Sequence, residues 1–168
     1  MLVWRNGSAL DLLDKLNENR IMELTSKQKG NLTELQCLTA FYEEGCHVSL
    51  PYGENSRYDM IVDVDGVLIR VQVKTSSLKN NSEEAIVFSC RSSHVNSAGV
   101  KNIRYTDKEI DYFATFWKGQ CYLIPVSECS TEKTLRFAPP KSGQLKGITF
   151  ASEYTIQKQL EKIRGGSN

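Results

Sequence analysis

The residues with most chemistry in this chain lie on two adjoining segments that read as strands: Asp59 in Tyr58–Val64, and Gln72 and Lys74 in Val67–Thr75. Asp65-Gly66 joins them, a dipeptide suited to the two-residue hairpin turn whose central residues both need positive φ. That turn pairs Val64 with Val67 and sets Asp59 opposite Gln72. Alternation then places Tyr58, Met60, Val62, Val64, Ile69, Val71 and Val73 on an apolar face, and Asp59, Gln72 and Lys74 on the other. Opposed Cβ atoms lie about 4.5–5.5 Å apart, so Asp59 and Gln72 can share one cation with Lys74 alongside. Carboxylate, amide and backbone oxygens suit a hard ion such as Mg²⁺, and a neighbouring lysine can position or deprotonate water and balance phosphate charge. Solubility alone can also turn such residues outward on a half-solvated hairpin. Glu34 favours the chemical reading, because it lies mid-helix near the apolar side, one turn before Leu38.

These residues need a scaffold. Lys27 to Glu44 reads as the main helix, with Ser26 as cap, Gly45 as terminator and an apolar face of Leu32, Leu35, Leu38, Phe41 and Tyr42. Further strands are expected at Cys46–Leu50, Ala85–Cys90, Tyr112–Trp117 and Cys121–Val126, with Arg91 to Lys108 as the longest loop. Ser152 to Arg164 reads as a terminal helix with Ile156, Leu160 and Ile163 inward. Ser8 to Asn19 has the spacing of a short amphipathic helix, so residues 1–21 are expected to be an extension and residues 22–168 the functional domain. The expected fold class is α/β, a mixed central β-sheet flanked by helices.

The composition is that of one ordinary globular domain: 168 residues, 40% hydrophobic and 24% charged. A net charge of +1 argues for neither nucleic acid nor membrane, but from Arg70 to Arg104 six basic residues face only Glu83 and Glu84. The five cysteines include no C-x-x-C pair, and Cys46-His47 alternate across a strand, so reduced thiols in the cytoplasm are expected rather than disulfides, zinc or a cysteine–histidine nucleophile. Neither a signal peptide nor a transmembrane run is expected. No G-x-S-x-G or G-x-x-x-x-G-K-[ST] motif occurs.

A helix bearing Glu34, a strand, Tyr58-Asp59 and then Gln72-Val73-Lys74 resembles the PD-(D/E)XK nuclease superfamily. Pro51–Asp59, Arg70–Thr75, Ile110–Ala114 and Tyr122–Val126 are similar, within it, to bacterial homing endonucleases encoded by group I introns. The resemblance covers about Lys27 to Ile163 and implies a restriction endonuclease-like core. It also implies Mg²⁺-dependent double-strand cleavage of a long DNA site in an intronless allele, by an assembly of identical subunits, a tetramer or dimer. On this resemblance Asp59 would be the main metal ligand, with Gln72, the Val73 carbonyl and Glu34 completing the set, and Lys74 the catalytic lysine. Tyr58 stands where the superfamily has proline, and Gln72 where it usually has an acidic residue. A neutral amide holds Mg²⁺ more weakly than a carboxylate, although glutamine here also resembles the intron group.

DNA contact would then fall to the central basic stretch: Lys79, Arg91, Lys101 and Arg104 to phosphates, and Ser92, Ser93, His94, Asn96 and Asn102 to backbone or base edges. Arg57 could touch the scissile backbone or pair with Glu54. Three other readings stay open: a nuclease of the same fold acting on branched DNA or as a restriction enzyme, a catalytically silent DNA-binding module in which Gln72 has disabled hydrolysis, and a scaffold protein with no nucleic-acid role, against which salt-sensitive DNA binding would argue.

Overall fold

A computed structural model describes residues 23–53, 55–96, 99–139 and 146–166. The extension at residues 1–21 and the suggested Arg57–Glu54 pair lie outside the described residues.

Helix α1 (Ser26–Glu43) is capped by Thr25 rather than Ser26, because Thr25 and Gln28 form a reciprocal capping box: the Gln28 N–H donates to the Thr25 hydroxyl, and the Thr25 N–H to Gln28 Oε1. Gly45, at φ +80°, ends it as expected. The buried face differs from the expected one. Thr33, Cys37, Ala40 and Phe41 point inward, while Leu35 is 61% and Tyr42 54% exposed. Mostly small residues therefore face the sheet, and the larger Leu35 and Tyr42 fall off that stripe.

The main sheet contains β1 (His47–Ser49), β2 (Met60–Val64), β3 (Val67–Val73), β8 (Tyr112–Trp117) and β9 (Gln120–Pro125), in the order β1-β2-β3-β8-β9. Only β3 and β8 pair in parallel, so the sheet is mixed, as the sequence predicts. The β2–β3 register is the expected one, with Val64 opposite Val67 and Met60 opposite Val71. Asp65 and Gly66 both have positive φ, at 52° and 93°, and the Gly66 N–H donates to Asp63 Oδ1.

One sheet face buries Met60, Val62, Val64, Ile69, Val71 and Val73 against α1 and the terminal helix α2 (Ile156–Gly165), where Ile156 and Leu160 are buried and Ile163 partly so. Helix α2 starts later than expected because Tyr154 and Thr155 are drawn against β9: the Leu123 N–H donates to the Tyr154 carbonyl, and Thr155 bridges to Tyr122. The other face is covered where it is formed by β8 and β9. Phe113 and Ile124 pack there with Ile86, Phe88 and Leu135 of a second sheet, ordered β10-β5-β4 (Glu132–Arg136, Ser82–Ser89 and Ser77–Lys79). Its short outer strands β4 and β10 are too polar to show as strands in the sequence. Tyr58 joins this second core rather than the first, because the regular strand begins only at Met60.

The expected loop from Arg91 to Lys108 is mostly a two-stranded antiparallel ribbon, β6 (Arg91–Asn96) with β7 (Gly99–Arg104). Six consecutive backbone pairings hold it, a source of order that hydrophobic periodicity does not reveal in a run rich in Ser and Asn. Among the described residues no helix is long and apolar enough to cross a membrane.

Candidate active site at the open end of the β2–β3 hairpin

Asp59 sits where β2 begins, its N–H donating to the Val71 carbonyl at 2.9 Å. The sheet register thus carries Asp59 to the side of Gln72, as the hairpin arithmetic predicts. Asp59 Oδ2 accepts the Val73 N–H at 2.6 Å and the Gln72 amide Nε2 at 2.5 Å. The same Gln72 nitrogen lies 3.2 Å from the Val73 carbonyl. Both bonds to Asp59 go to Oδ2, which leaves Oδ1 without a hydrogen-bond partner among the described residues.

Lys74 is placed by β8, where its N–H donates to the Ala114 carbonyl at 2.9 Å. Its side chain reaches Tyr105, with Nζ 3.3 Å from the phenol oxygen and 4.9 Å from the ring centroid. Arg57 covers that ring, its guanidinium carbon 4.1 Å from the centroid. Arg57 is itself held by Glu109 at 2.8 Å, Ser92 Oγ at 2.7 Å and the Arg104 carbonyl at 3.4 Å. Sequence reading missed Tyr105 and Glu109. For Glu109 a signal existed: Thr106-x-x-Glu109 has capping-box spacing, and Glu109 Oε2 accepts from the Thr106 N–H and hydroxyl.

Glu34 and Asp59 line one cleft of about 270 Å³, with Leu50, Pro51, Gly53, Ser56 and Tyr58. One residue before Glu34, Thr33 Oγ1 lies 3.3 Å from Thr75 Oγ1, linking α1 to the chain just beyond β3. A larger groove, about 370 Å³ between the helices and the β8–β9 turn, contains none of these groups.

The electrostatics agree with the geometry. Burial raises the Asp59 carboxyl above its ordinary value, although the Val73 N–H, Lys74 and Gln72 pull it down. Burial and the nearby Asp59 charge raise Glu34, and burial lowers Lys74 against the pull of Asp59. Burial is the main cause for both carboxylates, and groups shifted by burial in a cleft are a feature of functional sites. Among the described residues no group of three or more His, Cys, Asp or Glu surrounds a common point. Hard oxygens from Asp59 and Glu34, with amide and carbonyl oxygens of Gln72 and Val73 nearby, fit a divalent ion that keeps most of its waters.

The remaining expected residues are spread more widely. Arg91 and Arg104 are cross-strand partners on the ribbon, and Ser93 Oγ donates to its partner Asn102 at 2.7 Å. His94, Asn96 and Lys101 belong to the same ribbon, but their side chains are outside the described set. Lys79 stands apart on β4, 3.8 Å from Glu132.

The fold matches that of a solved structure titled "The structure of a bacterial homing endonuclease: I-Ssp6803I", with a TM-score of 0.68 and 21% identity over 86% of this chain and 98% of that one. Comparison with curated protein sequences gave no match. A family model for the PD-(D/E)XK endonuclease matches residues 24–157, which include α1, the hairpin and every group placed at the cleft. By that match the chain belongs to the PD-(D/E)XK endonuclease family.

Proposed function

We propose that this protein is a site-specific, Mg²⁺-dependent DNA endonuclease of the homing type, making double-strand breaks at an intron insertion site. The observation that carries the reading is the meeting of Asp59, Gln72, Val73 and Lys74 at one hairpin end, with Glu34 across an open cleft. Likeness of fold to a protein titled a bacterial homing endonuclease supports it.

Asp59 and Glu34 would hold the ion, with the Val73 carbonyl and the Gln72 amide oxygen as further donors once the amide turns. The chemistry Mg²⁺ supplies when bound is polarisation of the phosphodiester and acidification of water. Lys74 orients or deprotonates the attacking water and offsets charge on the phosphate. Gln72 tethers Asp59 without adding a second negative charge.

The ribbon is the proposed DNA-binding element, through Arg91, Ser93, His94, Asn96, Lys101 and Arg104, because a two-stranded ribbon fits the major groove. Arg91 and Arg104 face each other across it, like charges that a phosphate would reconcile, and Arg91 Nε has no hydrogen-bond partner among the described residues. Arg57 links the ribbon to the cleft, and Lys79 adds a peripheral phosphate contact. The acting form is an assembly of identical subunits, a tetramer or dimer, in the cytoplasm, where its thiols stay reduced. Residues 22–168 suffice for activity.

The decisive experiment is cleavage of a randomised linear duplex library in Mg²⁺ or EDTA, comparing the wild type with Asp59→Ala. Cut ends sharing a long sequence, only with Mg²⁺ and intact Asp59, establish the proposal. Salt-sensitive binding without any cutting would replace it with a silent DNA-binding module.

A further inference from the structure

Among the described residues, Tyr105 is the aromatic side chain that touches both Lys74 and Arg57. Its hydroxyl is 3.3 Å from Lys74 Nζ, and its ring lies 4.1 Å from the Arg57 guanidinium carbon and 4.9 Å from Lys74 Nζ. Phe113, fully buried, meets the ring edge-on at a centroid distance of 5.4 Å and fixes its plane. Tyr105 follows directly on the last ribbon residue, Arg104, whose carbonyl accepts from Arg57, and Ser92 on the facing strand accepts from Arg57 as well. An unbroken set of contacts therefore runs from the ribbon through Arg57 and Tyr105 to Lys74.

A lysine has four rotatable bonds and loses much conformational freedom when held in one place. Without a fixed partner its ammonium would sample the cleft mouth. The phenol oxygen and ring face select one arrangement, and the rigid attachment of Tyr105 makes that arrangement depend on the ribbon.

We infer that Tyr105 is a positioning residue, which holds the Lys74 ammonium in one arrangement and couples that arrangement to the ribbon through Arg57. This rests on the endonuclease reading only in taking Lys74 as the group that acts on the reacting atoms. Tyr105→Phe removes the hydroxyl and keeps the ring, whereas Tyr105→Leu removes both contacts.

The test combines single-turnover cleavage with ¹⁵N NMR of the lysine side chains, the Lys74 signal being assigned by its loss in Lys74→Arg. The expected result for Tyr105→Phe is a cleavage rate about tenfold lower at saturating DNA, with DNA affinity within about twofold of wild type. Tyr105→Leu should lose about another tenfold and weaken binding, since Arg57 also loses the ring it lies against while keeping its bonds to Glu109 and Ser92. In the spectrum, the Lys74 ammonium protons should exchange with water faster in Tyr105→Phe than in the wild type. An unchanged Lys74 signal, or a Tyr105→Phe rate equal to wild type, overturns the inference. Full activity in Lys74→Ala would instead overturn the endonuclease assignment of Lys74, leaving the spectroscopic result to decide the positioning role.

Discussion

The Gln72 amide donates to the Asp59 carboxylate across the open end of the hairpin, Nε2 to Oδ2 at 2.5 Å. A carboxylate at position 72 would meet that oxygen with like charge. The neutral amide therefore changes what the cleft can tolerate without an ion, since Asp59 already holds its proton more tightly than an ordinary aspartate.

Gln72→Glu tests this directly. Losing a hydrogen bond to a charged group and adding a like charge should lower stability by about 2 kcal/mol at neutral pH without divalent ions. Adding Mg²⁺ should restore most of that loss and raise the melting temperature more than in wild type. Melting curves with and without Mg²⁺ check it, and equal responses in the two proteins would refute it.

Asp59 and Glu34 carry a defined pH signature. Each is raised in the folded protein above its ordinary value, 3.8 for Asp59 and 4.5 for Glu34, so the folded state binds those protons more tightly than the unfolded chain. Their contribution is fully present below those values and is lost as pH rises through the folded values. Asp59→Asn and Glu34→Gln should thus gain stability relative to wild type across that window when no divalent ion is present. Urea melts over a pH series measure the difference, and a gain that shrinks with rising pH would contradict it.

Arg70 and Asp111 behave in the opposite sense. Arg70 donates to Asp111 through Nε at 3.0 Å, Nη2 at 2.7 Å and its backbone N–H at 2.7 Å. Burial alone would raise the Asp111 carboxyl, yet these bonds hold it below 3.8. The contribution is present above that value and lost as pH falls through the folded one. Asp111→Asn should cost about 1–2 kcal/mol at neutral pH, the pair being about one-third exposed, and the deficit should narrow in strong acid.

Catalysis and DNA binding should separate by mutation. Asp59→Ala and Lys74→Ala are expected to reduce cleavage by at least about a thousandfold while leaving duplex affinity nearly unchanged. Arg91→Ala should weaken binding and lower the salt slope by about one, as one fewer phosphate is neutralised. Gel-shift titrations over a salt series and single-turnover assays distinguish the two classes, and wild-type cleavage by either cleft variant would remove it from the site.

The site was more legible in sequence than its setting. Asp65-Gly66 determines a turn type, the turn determines the register, and the register brings Asp59 to Gln72, all over a dozen residues. Tyr105 and Glu109 reach Lys74 and Arg57 only because the chain returns after the ribbon, a relation that local pattern cannot encode. The second sheet escaped notice for a related reason. Its outer strands are short, and their order comes from backbone pairing with β5 rather than from their own apolar period. On the inward face of α1, Phe41 and Leu38 meet the core as expected, whereas Thr33, Cys37 and Ala40 count little in a hydrophobic stripe and yet are what the sheet accepts.

The parallel pairing of β3 with β8 also sets a folding order. Arg70 and Asp111 lie 41 positions apart in the chain, and the second sheet's β4 and β5 and the whole ribbon lie between them. The β2–β3 hairpin closes a two-residue turn and can form early, whereas β8 must travel back over that distance before it meets β3. On that ground Asp59 and Gln72 are expected to come together before Lys74 acquires its place against β8. On this order the cleft is completed only after the ribbon, which lies between the two strands in the chain, has been made.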